Sequence, residues 1–438
     1  MFVKNTPIAM QSEVKFGSKI KLILCFFQNH VFRVGLGLIG LLNCFYRVFD
    51  SHFYLEFGVL NIEEARLQFP LGYRFSLNYL SESETWFDVL NFFQGLFSLG
   101  LIFDLFKKYS VLGLWVLTLS FQNRNPMVLY GGDVAYRMFL LCYLLSLLIK
   151  CDVNKSVLVK LQLSSVYFFS FCFKIKNHSW QSGHGLIDSL SLKHLVTPFG
   201  NWLSEFHGLL LPLSYSVLVL ELLASFIVFL PTQYFRIKNF VILLLISMHL
   251  AILMVLNVGF FSLMMSIAWL PFLEFKKFRT EELLQGSFRK SICFSGAFLI
   301  VFVNICSITN NENLLQLYDK LRPVVEFTRI DQKWDMFDNP AVQPDGFFYI
   351  VYDKTIMIFG NKDFKEDEVI SEAFPNHRWV KVLMLNYKEV MNGGGHYKGF
   401  RRWICKRYAF LERDRVKLYF KNTSSNLLDV FTCGEDSL

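Results

Sequence analysis

The segment LQLSSVYFFSFCFKIKNHSWQSGHG (residues 161–185) joins a long apolar run to a short polar stretch. The run is followed by two lysines, a tryptophan and a Gly-X-Gly pattern, namely Lys174, Lys176, Trp180, Gly183 and Gly185. Lys174 has two interpretations. It can be an anchor at the end of a membrane span, with its ammonium group among the headgroups. If it instead lies in an apolar pocket, loss of water favours the neutral amine, which can act as a base or nucleophile.

The composition indicates a polytopic membrane protein. Of 438 residues, 53% are hydrophobic, 17% aromatic and only 18% charged, which is too apolar for a soluble domain of this size. The formal net charge is +8, but the residues from Asn311 onward carry 19 basic and 19 acidic side chains. The basic excess therefore lies in the apolar part of the chain. There it indicates membrane topology rather than a nucleic-acid partner.

Apolar runs predict a mainly α, polytopic transmembrane bundle of about nine spans. The first span starts at residue 23 or 30 and ends at 49. The others cover residues 85–106, 109–121, 127–149, 157–173, 206–230, 240–258, 260–275 and 291–308. The loop 50–84 is too polar to span, and an interfacial helix is expected at 62–69, ended by Pro70.

The basic residues predict the orientation of these spans. Lysines and arginines cluster in the N-terminal segment 1–22 and in alternate loops, at 107–108, 150–160, 236–238 and 276–290. Under the positive-inside rule these loops are cytoplasmic. The loops 50–84, 122–133 and 174–205, and everything after residue 309, are then outside. The loop that begins at Lys174 is thus expected to lie on the outer side of the membrane.

The chain from residue 311 to 438 is expected to form a small β-rich extracytoplasmic domain after the membrane domain 23–310. Alternating apolar and polar residues predict strands at 347–352, 355–359, 379–385 and 416–420, with turns at 344–346 and 392–395. Cys405 and Cys433 lie in this region, where an oxidising compartment would permit one disulfide.

Polar side chains inside apolar spans are costly in lipid and must face the bundle interior. Asp133 and Arg137 are four residues apart on one helix face, where they could pair. They either fix helix packing or form a polar wall facing Lys174. Glu221 and His249 lie near mid-span, and His249 is either a satisfied packing residue or part of a site. The histidines at 178, 184, 194 and 207 lack the spacing of a metal site.

Four blocks in order resemble the HTTM domain, the horizontally transferred transmembrane domain shared by vitamin K-dependent γ-carboxylases and many bacterial relatives. They are NRNPMVLYGGDVAYR (123–137), YFFSFCFKIKNHSWQSG (167–183), LELLASFIVFLP (220–231) and MHLAILMVLNVGFFSLMMSIAWLPF (248–272). The resemblance covers about residues 28–275. In the tail, KWDMFDNP (333–340) and RRWICKRY (401–408) resemble a soluble segment that follows the domain in many bacterial members.

The resemblance implies a quinol-dependent carboxylase and epoxidase in which Lys174 is the base, with Lys176 as the second candidate. In the carboxylases this base deprotonates vitamin K hydroquinone, O2 converts the quinol to a stronger base, and CO2 adds to a glutamyl carbanion. The animal enzyme has a histidine in the polar turn where this chain has Arg124, Asn125 and Pro126. The residues expected to bind a menaquinol-type cofactor are Asn125, Asp133, Arg137, Trp180, Glu221 and His249.

The expected setting is a bacterial inner membrane, with a protein or peptide substrate on the outer face. The alternative is a non-catalytic membrane protein that binds a lipid or anchors its outer domain to a partner. The position of Lys174 separates the two. An enzyme should hold Lys174 in a buried cavity near Arg137 and Glu221, whereas an anchor should point it toward the headgroups.

Overall fold

The structure is a computed structural model of the chain. It describes residues 30–55, 58–274, 287–340, 347–352, 355–358, 376–382, 397–408, 415–421 and 425–434. Predictions for the N-terminal segment 1–22, residues 23–29, the basic residues at 276–279 and the turns at 344–346 and 392–395 lie outside the described residues.

Long helices make up most of the described chain. The longest are α1 (His30–Phe49), α3 (Glu84–Ile102), α4 (Lys107–Arg124), α5 (Gly131–Leu148), α6 (Val157–Lys174), α10 (His207–Ile227), α11 (Phe235–Val255) and α13 (Ser287–Ile308), with the shorter apolar α12 at Phe261–Trp269. Six helical stretches in this described part are long and apolar enough to cross a membrane: His30–Phe49, Gly131–Leu148, Val157–Lys174, His207–Ile227, Thr232–Val255 and Arg289–Ile308. They make the chain a multi-pass membrane protein. Helices α3, α4 and α12 occupy the other three predicted positions but are not among the six.

Helix α5 is central to the bundle, and α10 and α11 are peripheral. Two thirds of the α5 span is buried (67%), against 39% for α10 and 28% for the α11 span. Because α5 packs against α4, α6 and α12, its side chains meet protein on most sides. Helices α10 and α11 instead expose large apolar side chains, among them Phe226 and Phe240, as expected of a lipid-facing surface.

Short helices cover the end of the bundle that carries Lys174. A helix, α2 (Ile62–Gln68), lies where the interfacial helix was predicted, and it begins with a capping box between Asn61 and Glu64. Four further helices are α7 (His178–Gln181), α8 (Gly185–Leu190), α9 (Pro198–Leu203) and α14 (Glu312–Thr328). Helix α14 was not predicted. The segment that follows it, 329–340, packs onto the bundle and buries Trp334 almost completely.

The C-terminal part contains a four-stranded antiparallel sheet in the order β2-β1-β3-β4. Its strands are β1 (Phe347–Tyr352), β2 (Thr355–Ile358), β3 (Arg415–Lys421) and β4 (Ser425–Thr432). The predictions of β1, β2 and β3 are confirmed, whereas β4 was not predicted. The predicted strand at 379–385 is wrong over its described residues, because residues 377–382 form a helix, α15. Trp379, Val380 and Val382 from this helix are buried in an apolar cluster shared with the bundle, so tertiary packing overrides their strand propensity.

A disulfide and a buried polar cluster hold the C-terminal part together and against the bundle. Cys405, in α16 (Tyr397–Arg407), is bonded to Cys433 just after β4. At the end of α1, Asp50 accepts hydrogen bonds of 2.8 and 3.0 Å from the Asn376 side chain. Burial raises the pKa of the Asp50 carboxyl, although Arg378 and Asn376 oppose that shift. Burial and then Arg378 lower the pKa of the adjacent His377 to about 3.

Candidate functional site

Lys174 lies inside the protein, at the last position of α6, and is only 5% exposed. Its Nζ donates to Glu221 Oε1 at 2.7 Å and to the Oγ of Ser170, which lies one helical turn earlier. The same Nζ is 5.4 Å from the ring centroid of Trp180, within cation–π distance. A lysine that served as an interfacial anchor would reach water. The neighbouring candidate Lys176 is exposed.

Glu221, on α10, has one occupied and one open carboxylate oxygen. Oε1 accepts from Lys174 and, at 3.0 Å, from Ser170 Oγ. Oε2 is buried and has no hydrogen-bond partner among the described residues. Buried polar atoms are rarely left unpaired, because the loss of hydration is not compensated. Oε2 therefore has hydrogen-bonding capacity that no described residue uses.

His249, on α11, presents the complementary donor. Trp269 Nε1 donates to Tyr167 Oη at 2.6 Å, and that hydroxyl lies 2.6 Å from His249 Nε2. An indole N–H can only donate, so the arrangement that satisfies all three groups has the Tyr167 O–H donating to Nε2. The proton of the neutral His249 ring is then on Nδ1, a buried atom that lacks a partner within the described chain.

Lys174, Glu221, Tyr167 and His249 line one cavity of about 100 Å³ between α6, α10, α11 and α12. Its wall is mostly apolar and includes Val166, Val217, Met248, Ile252 and Phe261. An apolar enclosure with a few converging polar groups is typical of a small-molecule site. Such a cavity suits a hydrophobic ligand with a few polar groups, because Lys174, Glu221 and His249 are among its lining residues.

Trp180 and residues from outside the bundle close one side of the cavity. Trp180 is 2% exposed, and its Nε1 donates to the carbonyl of Phe337 at 2.7 Å. Gly183 ends this turn with a φ of +80°, a conformation that favours glycine. A Cβ on Gly185 would lie 2.3 Å from the Trp180 ring. The Gly-X-Gly pattern therefore lets the chain pass closely around the tryptophan.

Replacing Gly185 with alanine is expected to displace Trp180, because the new methyl group cannot fit against the ring. Overpacking of this kind lowers stability by about 1–3 kcal/mol. Gly208→Ala is the matched control, since a Cβ there meets nothing within 4 Å. Thermal unfolding and tryptophan fluorescence of both variants check this. A Gly185→Ala protein with the midpoint and spectrum of Gly208→Ala would show that the ring has room to move.

Asn125, Asp133 and Arg137 lie elsewhere, and none is among the described residues that line the Lys174 cavity. Asn125 donates to the carbonyl of Phe53 and caps the following turn. Arg137 pairs with Asp331 rather than with Asp133, and its Nε donates to the carbonyl of Arg329 at 2.8 Å. These three residues fix the packing of the polar turn and the 329–340 segment. The structure brings together Lys174, Trp180, Glu221 and His249.

Sequence reasoning missed several residues of the site: Tyr167, Ser170, Trp269, Met336 and Phe337. Two of them left a signal. Ser170 is one helical turn from Lys174 and on the same face, and the indole N–H of Trp269 in an apolar span needs a buried partner. No feature of the sequence placed Met336 and Phe337 at the site, because they come from a segment that was assigned to the outer domain.

No protein-family model, no curated protein and no solved structure matches the chain. Its function is therefore inferred from the chemistry of this site.

Proposed function

We propose that this chain is an HTTM-type membrane enzyme that uses Lys174 as a general base toward a lipid-soluble quinol. The observation that carries the proposal is the burial of Lys174 beside Glu221 in an apolar cavity. Charged groups within a membrane bundle are expensive and mark functional sites by default. An apolar cavity among membrane helices is also accessible to a ligand dissolved in the bilayer.

The residues present fit a hydroquinone head group. One hydroxyl can donate to the open Oε2 of Glu221, and the opposite oxygen can accept from Nδ1–H of His249. For this step the Lys174 amine must be in its neutral form: the proton of the bound hydroxyl then reaches Nζ by way of the Glu221 carboxylate, which stabilises the resulting ammonium at 2.7 Å. A bound vitamin K-type quinol would supply, with O2, the strong base that removes a glutamyl γ-proton before CO2 adds.

We further propose nine spans, with the N-terminus in the cytoplasm of a bacterium and the C-terminal domain outside its inner membrane. Helices occur at all nine predicted positions, which supports this count. The Cys405–Cys433 disulfide supports an outer location for the C-terminal domain, since disulfides persist in oxidising compartments. A protein or peptide substrate would then reach the Lys174 cavity from the outer face.

Epoxide formation by the purified full-length protein in detergent tests this proposal. We expect reduced vitamin K or menaquinol to be converted to the epoxide in the presence of O2, above the rate in protein-free detergent. A glutamyl peptide and labelled CO2 then test carboxylation separately. The proposal is contradicted if well-folded protein forms no epoxide and the quinone does not quench its tryptophan fluorescence.

The second candidate is a non-catalytic lipid-binding protein. The Lys174–Glu221 ion pair favours it, because a preformed pair in an apolar cavity can hold a polar head group without any proton transfer. Native mass spectrometry distinguishes the two candidates. A lipid that stays bound through purification, together with absence of turnover, would support this second function.

A further inference from the structure

Residues 329–337, which we call the strap, follow α14 and reach the Lys174 cavity without forming a helix or a strand. Three alternate side chains in it are each less than a tenth exposed: Ile330, Gln332 and Trp334. The residues between them are more exposed, which is the period of two expected of an extended chain. An extended segment has no internal ladder of hydrogen bonds, so other elements must hold it in place.

Two helices of the bundle hold the first part of the strap. Arg137, on α5 and 2% exposed, donates from Nε to the carbonyl of Arg329 at 2.8 Å. Its Nη2 donates to the backbone carbonyl and the carboxylate of Asp331. On α6, the side-chain amide of Gln162 donates to Gln332 Oε1 at 2.8 Å. Because a guanidinium presents its donors in a rigid fork, Arg137 fixes the position of two successive turns of the strap backbone.

The last part of the strap belongs to the wall of the Lys174 cavity. Met336 and Phe337 both line that cavity. The carbonyl of Phe337 accepts a hydrogen bond from Trp180 Nε1 at 2.7 Å, and the Trp180 ring centroid lies 5.4 Å from Lys174 Nζ. A displacement of the strap would therefore move both a wall of the cavity and the ring beside the lysine.

Both ends of the strap have an unfavourable backbone conformation. The φ angles of Arg329 and Phe337 are 52° and 55°, in the left-handed region that residues with a Cβ rarely adopt. Such conformations persist only where the surrounding contacts hold them, and they concentrate at binding and catalytic sites. Here the carbonyl of Arg329 is held by Arg137, and that of Phe337 by Trp180. Phe337 thus stays at the cavity against the local preference of its backbone.

We propose that Arg137 is a positioning residue for the Lys174 cavity: acting through the strap, it places Trp180 and Phe337, and Phe337 determines which ligands the cavity accepts. Arg137 is not among the described residues that line the cavity, so its effect on a ligand is indirect. The choice of a quinone as the ligand rests on the proposed function, whereas the positioning role of Arg137 does not.

Hydrogen exchange of the full-length protein in detergent tests the positioning role without any ligand. Arg137→Met removes the donors to the strap, while Asp331 keeps Arg329 as its partner at 2.9 Å. Amide exchange at residues 178–183 should then rise by about tenfold, with that of α3 unchanged, because the opening is local. Lys333→Met, at an exposed position of the strap, should leave both unchanged. Arg137→Lys keeps the charge and part of the hydrogen bonding, so it should give a smaller rise and guards against misfolding of Arg137→Met.

Quinone binding, measured by quenching of tryptophan fluorescence, tests the role of Phe337. Because the cavity is small, the wild type should bind menadione more tightly than an anthraquinone, and Phe337→Ala should reduce this preference by about tenfold. Arg137→Met should reduce it similarly. The double variant Arg137→Met/Phe337→Ala should be no less selective than either single variant, since both changes act through one side chain. Phe327→Ala, at a 53% exposed position of α14, is the matched control and should keep the wild-type preference.

Unchanged exchange at 178–183 in folded Arg137→Met protein would overturn the positioning role. An unchanged quinone preference in Phe337→Ala, or losses of preference that simply add in the double variant, would overturn the assigned role of Phe337. A wild-type protein that binds neither quinone would contradict the proposed function together with the role of Phe337 toward quinones, whereas hydrogen exchange still decides the role of Arg137.

Discussion

Replacing Lys174 with methionine is expected to lower the rate of quinol epoxidation by at least about 100-fold, because a positioned general base contributes about 10²–10⁴ in rate. Methionine keeps much of the apolar stem and cavity wall but cannot accept a proton. Epoxide formed per folded protein is the measurement. Lys176→Met is the matched control, since Lys176 is only two residues away and exposed, and its rate should stay within about twofold of wild type.

Chemical rescue separates a chemical role of Lys174 from a structural one. Lys174→Ala leaves space beside Glu221 Oε1, and a small primary amine added to this variant should restore part of the epoxidation rate. A merely structural lysine would not give a rate that depends on the amine. Lys174→Met protein that turns over at the wild-type rate would show that the base lies elsewhere.

The fold was predictable wherever a single segment carries its own signal. Each long apolar run became a helix, and α2 follows from Asn61, the acidic first turn and Pro70. Helix α14 and the 329–340 segment were missed because their burial depends on the bundle they cover. Trp334 is an example: its indole donates to Gln332, which in turn bonds Gln162 on α6. No local sequence pattern in residues 329–340 predicts the contact with Gln162.

The residues of the candidate site that could be predicted are polar residues within apolar spans, because such residues are costly in lipid. Glu221 and His249 were identified because a carboxylate and an imidazole near mid-span must find partners. Asp133 and Arg137 satisfied the same rule, yet their expected pairing depended only on their spacing. Arg137 instead pairs with Asp331, almost 200 residues later in the chain. Helical spacing shows which residues share a face, but it cannot show what packs against that face.

Glu221→Leu is expected to destabilise the protein by about 3–5 kcal/mol, because it leaves the Lys174 ammonium buried without its counter-charge. The pair has side-chain exposures of 7% and 8% and an N–O distance of 2.7 Å. Lys333 and Asp335 form a matched control pair at the same distance, but their side chains are 57% and 38% exposed. Asp335→Leu should therefore cost less than about 1 kcal/mol. Denaturant unfolding in detergent measures both losses.

The double variant Lys174→Met/Glu221→Leu should recover most of that loss, since two apolar side chains of similar size replace a buried ion pair at little net cost. A double variant as unstable as Glu221→Leu alone would contradict this and would mean that the pair is required for packing. The expected recovery has a consequence for function. If both charges can be removed without loss of stability while epoxidation disappears, the fold does not need this ion pair, and its charges act on the ligand.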